Sequence, residues 1–154
     1  MKYWILATLF LFSASSLVSG ETLQTVGQDW VKTSQLAKQS NLPILILFTA
    51  DTCAYCERLK RDVLTPMFPQ DMQHKRALVR EVDINSGGKM TDFNGERIRS
   101  RQFKDRYRIF ATPTLLILDQ DGKPLAEPIV GYNSRKEYRA LLESQLQDFR
   151  LAQH

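Results

Sequence analysis

Thiol and imidazole groups are scarce in this sequence, whose 154 residues include only two cysteines and two histidines. Two cysteines exclude both a four-thiolate zinc site and a framework of several disulfides. With 43% hydrophobic and 25% charged residues, the composition also excludes a disordered tail, a fibre and a multi-span membrane protein. The sequence therefore predicts one ordinary globular domain.

A large excess of charge of one sign is also missing. The chain has 21 Lys+Arg against 17 Asp+Glu, and without residues 1–20 the balance is 20 against 17, a net charge of +3. So small a charge does not indicate a nucleic-acid partner. The densest basic stretch, residues 97–108, predicts a helix with a solvated basic face; a docking surface for an anionic partner is the alternative.

The N-terminal apolar run is too short to span a membrane. Residues 3–12 are apolar except for Thr8, whereas a spanning helix needs roughly twenty such residues. Lys2 precedes this run and small residues follow it at 13–20, which is the pattern of a secretory signal peptide cleaved after Gly20. We therefore expect a signal peptide at 1–20 and a mature domain at 21–154; a retained membrane anchor is the alternative.

Apolar periodicity and turn residues divide the rest of the chain into strands and helices. The predicted strands are 44–49, 77–83, 114–118 and 128–131. The predicted helices are 28–39, 57–64 (ending before Pro66), 100–107 and one that follows a capping box at 134–137. The order strand, helix, strand, helix, strand pair and helix predicts an α/β fold, with a four-stranded mixed sheet and helices on both faces.

The last two predicted helices carry apolar faces that should pack on this sheet. On the third helix, Phe103, Tyr107 and Phe110 recur at i, i+4 and i+7. The apolar face of the last helix consists of Tyr138, Leu141, Leu142, Leu146 and Phe149.

The two cysteines, Cys53 and Cys56, directly follow the first predicted strand. Cys53 should therefore lie at the carboxyl end of a central strand and at the N-terminus of a helix, where active sites form in such sheets. Free N–H groups and the helix dipole stabilise a thiolate there. We expect Cys53 to attack first, and Cys56, one helical turn later, to resolve the mixed disulfide.

Two other roles for the pair are weaker alternatives. A structural bridge across so short a loop would remove little entropy from the unfolded chain. A metal site would need further ligands, and only His74 and His154 are available, neither with useful spacing.

The Cys-Ala-Tyr-Cys run at 53–56, together with Ala-Thr-Pro-Thr at 111–114, resembles the thioredoxin superfamily over most of the mature chain. The resemblance implies a thioredoxin-like fold with a redox-active disulfide and no cofactor or metal. It implies that Pro113 is a cis-proline beside the cysteines, and that the backbone of Thr112 pairs with an extended substrate peptide. Tyr55, between the cysteines, would support substrate binding.

Residues 90–96, the Asp-Gly turn and the Gly-Tyr pair at 131–132 look most like exported SoxW-type thioredoxins, with the C-terminal domain of DsbD as a more distant relative. This likeness implies a monomeric, periplasmic thiol-disulfide oxidoreductase, most simply a dithiol reductase that forms transient mixed disulfides with exported proteins. Its electrons would come from a membrane donor of the DsbD or CcdA type. The alternatives are an isomerase or oxidase of the same fold, or a non-enzymatic metal carrier or docking module.

The sequence departs from thioredoxin around the cysteines. Leu47 stands where thioredoxin has a buried aspartate, Thr52 replaces a tryptophan, and Ala-Tyr replaces Gly-Pro between the cysteines. Compared with thioredoxin, about 14 extra residues lie between Asp83 and Pro113, as an insertion before the third helix. We expect residues 84–96 either to shape the surface near the cysteines or to form a surface hairpin. Charges of both signs flank the pair and nearly cancel, so the sequence does not determine the direction of electron flow.

Overall fold

The computed structural model describes residues 28–69 and 73–151. The expected signal peptide at 1–20 and His154 lie outside the described residues. Among the residues that are described, no helix is long and apolar enough to cross a membrane.

Strands and helices alternate along the described chain. The strands are β1 (Ile44–Thr49), β2 (Leu78–Asp83), β3 (Lys89–Thr91), β4 (Arg97–Arg99), β5 (Thr114–Leu118) and β6 (Ile129–Val130). The helices are α1 (Trp30–Ser40), α2 (Ala54–Leu59), α3 (Thr65–Met67), α4 (Gln73–Arg76), α5 (Ser100–Arg106) and α6 (Arg135–Leu151), with a π-helical turn (Lys60–Leu64) joining α2 to α3.

Four strands form a mixed sheet in the order β2-β1-β5-β6. β1 runs parallel to β2, pairing Leu47 with Glu81, and antiparallel to β5, pairing Phe48 with Thr114. β6 is shorter than the strand predicted at 128–131. All of β1 is buried, as expected of a central strand with helices on both faces. The predicted α/β fold with a four-stranded mixed sheet is confirmed.

Alternate residues of β1 contribute to two apolar clusters, one on each face of the sheet. Leu45 and Leu47 belong to the cluster that includes residues of α2, the π-helical turn and α6. Ile44, Ile46 and Phe48 belong to the cluster that includes residues of α1, α5 and the β3-β4 hairpin. The sheet therefore separates two helical layers.

Local hydrogen bonds explain where α1 begins and ends. The Asp29 carboxylate accepts the N–H of Lys32 at 3.1 Å and so caps the first turn. Asn41 ends the helix with a left-handed φ of 52°, a conformation that asparagine tolerates better than most residues. Trp30, in the first turn, is fully buried and stacks on Phe103 with 4.7 Å between ring centroids.

The helix predicted at 57–64 begins earlier and extends further. It starts at Ala54, and the chain remains helical to Met67 in spite of Pro66. The prediction ended before Pro66 because proline lacks an N–H and clashes with the preceding helical turn. The π-helical turn before the proline widens the backbone and shifts its hydrogen-bond pattern, which accommodates the proline.

Two predicted apolar contacts are wrong. Phe110 does not lie on α5, because Arg108 has a left-handed φ of 52° that turns the chain, burying Ile109 and leaving Phe110 82% exposed. Leu141 is 47% exposed on α6, since it lies beside the stripe that faces the core. The buried stripe of α6 consists of Tyr138, Leu142, Leu146 and Phe149.

Residues 84–96 supply β3 and lead into its hairpin partner β4. Met90 is buried in the cluster beneath α1, where the indole N–H of Trp30 points at its Sδ from 3.2 Å. The carboxylate of Asp92 is fully buried and accepts a 2.6 Å hydrogen bond from Arg106 of α5. The hairpin is therefore part of the core and not a decoration, and it packs on the face of the sheet opposite α2.

Candidate redox site

The cysteine pair lies where the loop after β1 enters α2. Cys53 and Cys56 form a disulfide, with 5.3 Å between their Cα atoms. Cys53 is the N-cap of α2, and its Sγ accepts the N–H of Cys56 at 3.2 Å. The sulfur that we expect to react first therefore faces a backbone N–H at the positive end of a helix dipole, where a thiolate is stabilised.

The two sulfurs differ in their access to solvent. Cys56 is only 1% exposed, whereas Cys53 is partly exposed. A substrate sulfur can therefore reach Cys53 more readily than Cys56. This difference in access fits the predicted order, with Cys53 as the attacking residue and Cys56 as the resolving residue.

The residue before the pair has a strained backbone. Thr52 has a left-handed φ of 62°, which is unfavourable for a β-branched side chain. Its hydroxyl donates to the Asp51 carbonyl at 2.6 Å. Strain of this kind occurs at functional sites, where the surrounding structure holds it in place. Here it accompanies the sharp change of direction between the end of β1 and the start of α2.

The loop before β5 meets the cysteine loop at the same edge of the sheet. Because β5 is antiparallel to β1, its first residue pairs with Phe48 near the end of β1. The Thr112–Pro113 peptide bond is cis, as the resemblance implied. The Pro113 carbonyl accepts the N–H of Gly131 at 2.8 Å, which ties the loop to β6. Thr112 is partly exposed at this edge.

A second layer of aromatic and charged groups supports Tyr55. Tyr55 is 56% exposed, and the guanidinium of Arg58 lies 5.7 Å from the centroids of both the Tyr55 and Tyr132 rings. The Tyr132 hydroxyl donates to the Asp62 carboxylate at 3.1 Å. Although burial raises it, the pKa of Asp62 is lowered overall by hydrogen bonds from Tyr132 and Arg61. Arg58 thus links the exposed ring of Tyr55 to the chain that follows β6.

A carboxylate lies beside Leu47 on the neighbouring strand. Leu47 is buried, and its register partner on β2 is Glu81. Glu81 accepts hydrogen bonds from Lys60 at 3.2 Å and from the Thr49 hydroxyl at 3.1 Å. The Lys60 ammonium also contacts Glu57 at 2.6 Å. No local pattern in the sequence predicts this network, because Glu81 is 32 residues from Thr49 and 21 residues from Lys60.

The charges near the pair, which nearly cancel in the sequence, are distributed unequally in space. Lys60 pairs with Glu57 and Glu81, and Arg61 pairs with Asp62. Arg58, in contrast, is held over two aromatic rings. Phe110, which its spacing placed on a helix, instead lies exposed directly before the Ala-Thr-Pro-Thr run.

Among the side chains that the structure describes, no group of three or more His, Cys, Asp or Glu is arranged to hold a metal ion.

Comparison with known proteins shows which family the chain belongs to. A family model described as a thioredoxin-like domain matches residues 31–146. The disulfide bond reductase DsbH of Chlamydia pneumoniae is 24% identical over 146 residues, covering 82% of this chain and 86% of the relative.

Solved structures share the fold. A structure described as DsbH oxidoreductase has a TM-score of 0.58 at 21% identity, covering 84% of this chain and 95% of its own. The C-terminal domain of DsbD from Neisseria meningitidis, in its oxidised form, has a TM-score of 0.52 at 19% identity, covering 74% of this chain and 90% of its own. At these identities the likeness supports the fold alone.

Proposed function

The chain belongs to the thioredoxin-like domain family of oxidoreductases with a CxxC pair, and from that premise we propose that it is an exported, periplasmic protein-disulfide reductase. The observation that carries the proposal is the unequal environment of the two sulfurs. Cys53 is accessible at a helix N-terminus, and Cys56 is buried behind it. The name of the curated relative, a disulfide bond reductase, supports the same direction of electron flow.

The proposed reaction is thiol-disulfide exchange in two steps. The Cys53 thiolate attacks one sulfur of the substrate disulfide, which forms a mixed disulfide and releases the other substrate sulfur as a thiolate that takes a proton from solvent. Cys56 then loses its proton and attacks the Cys53 Sγ, which breaks the mixed disulfide and releases the second substrate thiolate. Two electrons pass to the substrate, and a membrane dithiol donor of the DsbD or CcdA type restores the reduced pair.

Substrate binding is proposed at the edge formed by the two loops. An extended segment of the substrate pairs with the backbone of Thr112 beside Pro113, and the exposed ring of Tyr55 borders the same position. No cofactor takes part, and a monomer contains every group that this reaction uses.

A trapping experiment tests this function. In a Cys56→Ser variant the mixed disulfide on Cys53 cannot be resolved, so exported proteins should remain covalently attached and be identified by mass spectrometry. A Cys53→Ser variant is the matched control and should trap far less. The wild-type reduction potential should lie nearer the ~−270 mV of thioredoxin than the ~−120 mV of DsbA.

Other outcomes would identify the competing functions. A pair that is stably oxidised in the cell, or an oxidising membrane protein as the trapped partner, would contradict the reductase and favour an oxidase or isomerase. Stoichiometric metal binding that is lost when both cysteines are replaced, without exchange activity, would favour a metal carrier.

A further inference from the structure

The positive charge of the chain is concentrated in one segment. Residues 84–108, which contain the β3-β4 hairpin and α5, carry seven Lys or Arg against three Asp or Glu, a net charge of +4. Residues 21–154 together have a net charge of +3, so the rest of that range carries 13 Lys or Arg against 14 Asp or Glu. The whole excess of positive charge therefore belongs to the hairpin and the helix that follows it.

The register of the hairpin brings three of these cations side by side. Lys89 pairs with Arg99 across the two strands, and the next pair, Met90 with Ile98, is buried. Since alternate residues of a strand lie on opposite faces, Lys89, Arg97 and Arg99 share the outward face, and all three are exposed. Directly opposite residues have Cβ atoms about 5 Å apart, where like charges are destabilising. We call these three side chains the basic face.

Acidic side chains do not neutralise the basic face. Its three cations form no ion pair with any described residue. The acids near the hairpin are paired with other cations: Asp92 with Arg106, Asp105 with Lys104 and Asp29 with Lys32. Glu96, in the exposed turn of the hairpin, is the one acid of residues 84–108 without a cation partner among the described residues. The basic face thus presents a positive field to solvent.

The basic face is also held rigidly. Met90 and Ile98 anchor the hairpin in the apolar cluster that includes α1 and α5. The N–H of Ser100 donates to the Gly88 carbonyl at 3.0 Å, and the buried Asp92 carboxylate binds Arg106 of α5. A partner therefore meets cations that are already fixed in one plane, so little backbone entropy is lost on binding.

The hairpin offers no apolar anchor to a partner. The large apolar side chains exposed in the described part of the chain lie outside residues 84–108 except for Phe110's neighbouring loop, and they are Tyr55, Phe110, Leu125, Val130 and Leu141. Protein interfaces have an apolar core that is depleted of charge. Attraction to an anionic bilayer, in contrast, sums over the cations near its surface and needs no apolar contact. A lipid surface therefore fits the basic face better than an acidic protein does.

We propose that the basic face docks the protein reversibly on a bilayer that contains anionic phospholipid, through attraction to the headgroup phosphates. The hairpin packs on the face of the sheet opposite α2, so docking leaves Cys53 accessible. The proposal goes beyond the exchange reaction and rests on the proposed function only for the choice of bilayer, which is the one that holds the dithiol donor.

Vesicle co-sedimentation tests this docking. The chain starting at Glu21, the expected mature form, contains every described residue. It should bind vesicles of equal parts phosphatidylglycerol and phosphatidylcholine at about 0.05 M salt, dissociate at about 0.5 M salt, and not bind phosphatidylcholine alone. Combining Lys89→Gln, Arg97→Gln and Arg99→Gln should lower the partition coefficient about a hundredfold, since each cation near an anionic surface strengthens binding about fivefold. Lys89→Gln alone should lower it about fivefold.

The matched control combines Arg135→Gln, Lys136→Gln and Arg139→Gln, which removes the same charge from exposed positions of α6 on the other side of the sheet. It should weaken binding about threefold or less, because salt screens charges that lie far from the bilayer. Arg97→Lys with Arg99→Lys keeps the charge and should keep the binding. Because the basic-face variant removes a like-charge pair, it should melt at or above the wild-type temperature.

Two results would overturn the proposal. Equal losses in the two triple variants would mean that vesicles respond to net charge and not to the basic face. Binding to polyglutamate without binding to phosphatidylglycerol vesicles would indicate an acidic protein as the partner.

Failure of the proposed function would look different. Reduction of insulin by the wild-type chain in the absence of vesicles tests the reductase independently of docking. A chain that docks on phosphatidylglycerol vesicles through the basic face but does not reduce insulin would support the docking and contradict the function. A chain that reduces insulin but does not bind these vesicles would do the reverse.

Discussion

Phe110 shows how one residue's backbone angle changes the surface beside the cysteines. The left-handed φ at Arg108 turns the chain away from the axis of α5. Ile109 is therefore buried, and Phe110 is left 82% exposed. Phe110 directly precedes Ala111 and Thr112, the loop that we propose binds substrate. An aromatic side chain offers a large contact area at low entropic cost, which suits recognition of apolar substrate segments.

Replacing Phe110 should therefore weaken catalysis and leave stability unchanged. We expect Phe110→Ala to lower kcat/KM for a protein substrate by about three- to tenfold, since a partner's contact with this ring is lost. The melting temperature should stay the same, because the ring contributes little to the core. Leu141→Ala, at a half-exposed position on α6, is the control and should leave kcat/KM unchanged. Equal kcat/KM in Phe110→Ala and wild type would place the substrate elsewhere.

The same region shows what the sequence can and cannot predict at this scale. Cys53 and Cys56 could be located because an apolar strand and a helix start are both local patterns. Phe110 was misplaced because its i+7 spacing from Phe103 is helical, and spacing does not report a left-handed residue at 108. The pairing of Lys60 with Glu81 was invisible for another reason: it depends on the β1-β2 register, which brings distant residues together.

At the scale of elements, the helix that carries the cysteines differs most from expectation. α2 continues through the π-helical turn into α3, whereas a proline normally ends such a helix. Strand boundaries were predicted more closely, with β1 and β5 correct at both ends, because buried central strands are short continuous apolar runs. The π-helical turn depends on tertiary contacts and has no local pattern, whereas the strand predicted at 128–131 forms as the shorter β6.

The N-cap of α1 leads to a pH-dependent prediction. The hydrogen bond from the Lys32 N–H lowers the pKa of Asp29 below its ordinary 3.8. A folded-state pKa below the unfolded one means that the stabilisation is present above the unfolded pKa and is lost as pH falls through the folded pKa. Asp29→Ala should lower the free energy of unfolding by about 1 kcal/mol at pH 7. This difference should narrow below about pH 4.

Urea unfolding of wild type and variant between pH 2.5 and 7 measures that difference. Asp29→Asn is the control, because the amide oxygen still accepts the N–H but does not titrate. It should retain most of the stability at pH 7 and lose the pH-dependent part. A gap between wild type and Asp29→Ala that stays constant down to pH 2.5 would contradict a charged cap.

At the scale of the whole molecule, the sheet separates the cysteine pair from the aromatic layer on its other face. The cysteines, Lys60 and Glu81 lie on the side of the sheet that carries α2 and α6. The opposite layer, under α1 and α5, is built from stacked aromatic rings and closed by the β3-β4 hairpin, which Arg106 holds through the buried Asp92. The hairpin therefore adds to the layer under α1 and α5. The edge beside the cysteines is formed by the loop after β1 and the loop before β5.

This separation makes Trp30 a reporter of folding and not of the redox state. In a chain that starts at Glu21 it is the single tryptophan, fully buried between Phe93 and Phe103 at 5.4 and 4.7 Å, on the face of the sheet opposite α2. Reducing the disulfide should change its emission little, while unfolding should shift the emission strongly to the red, because only unfolding exposes the indole to water. Fluorescence scans of the oxidised and reduced chain, folded and in urea, measure both effects, with Trp30→Phe as the blank. If reduction of the disulfide changed the Trp30 emission as much as unfolding does, the first helix would have to contact the cysteine pair. The two layers would then not be separate.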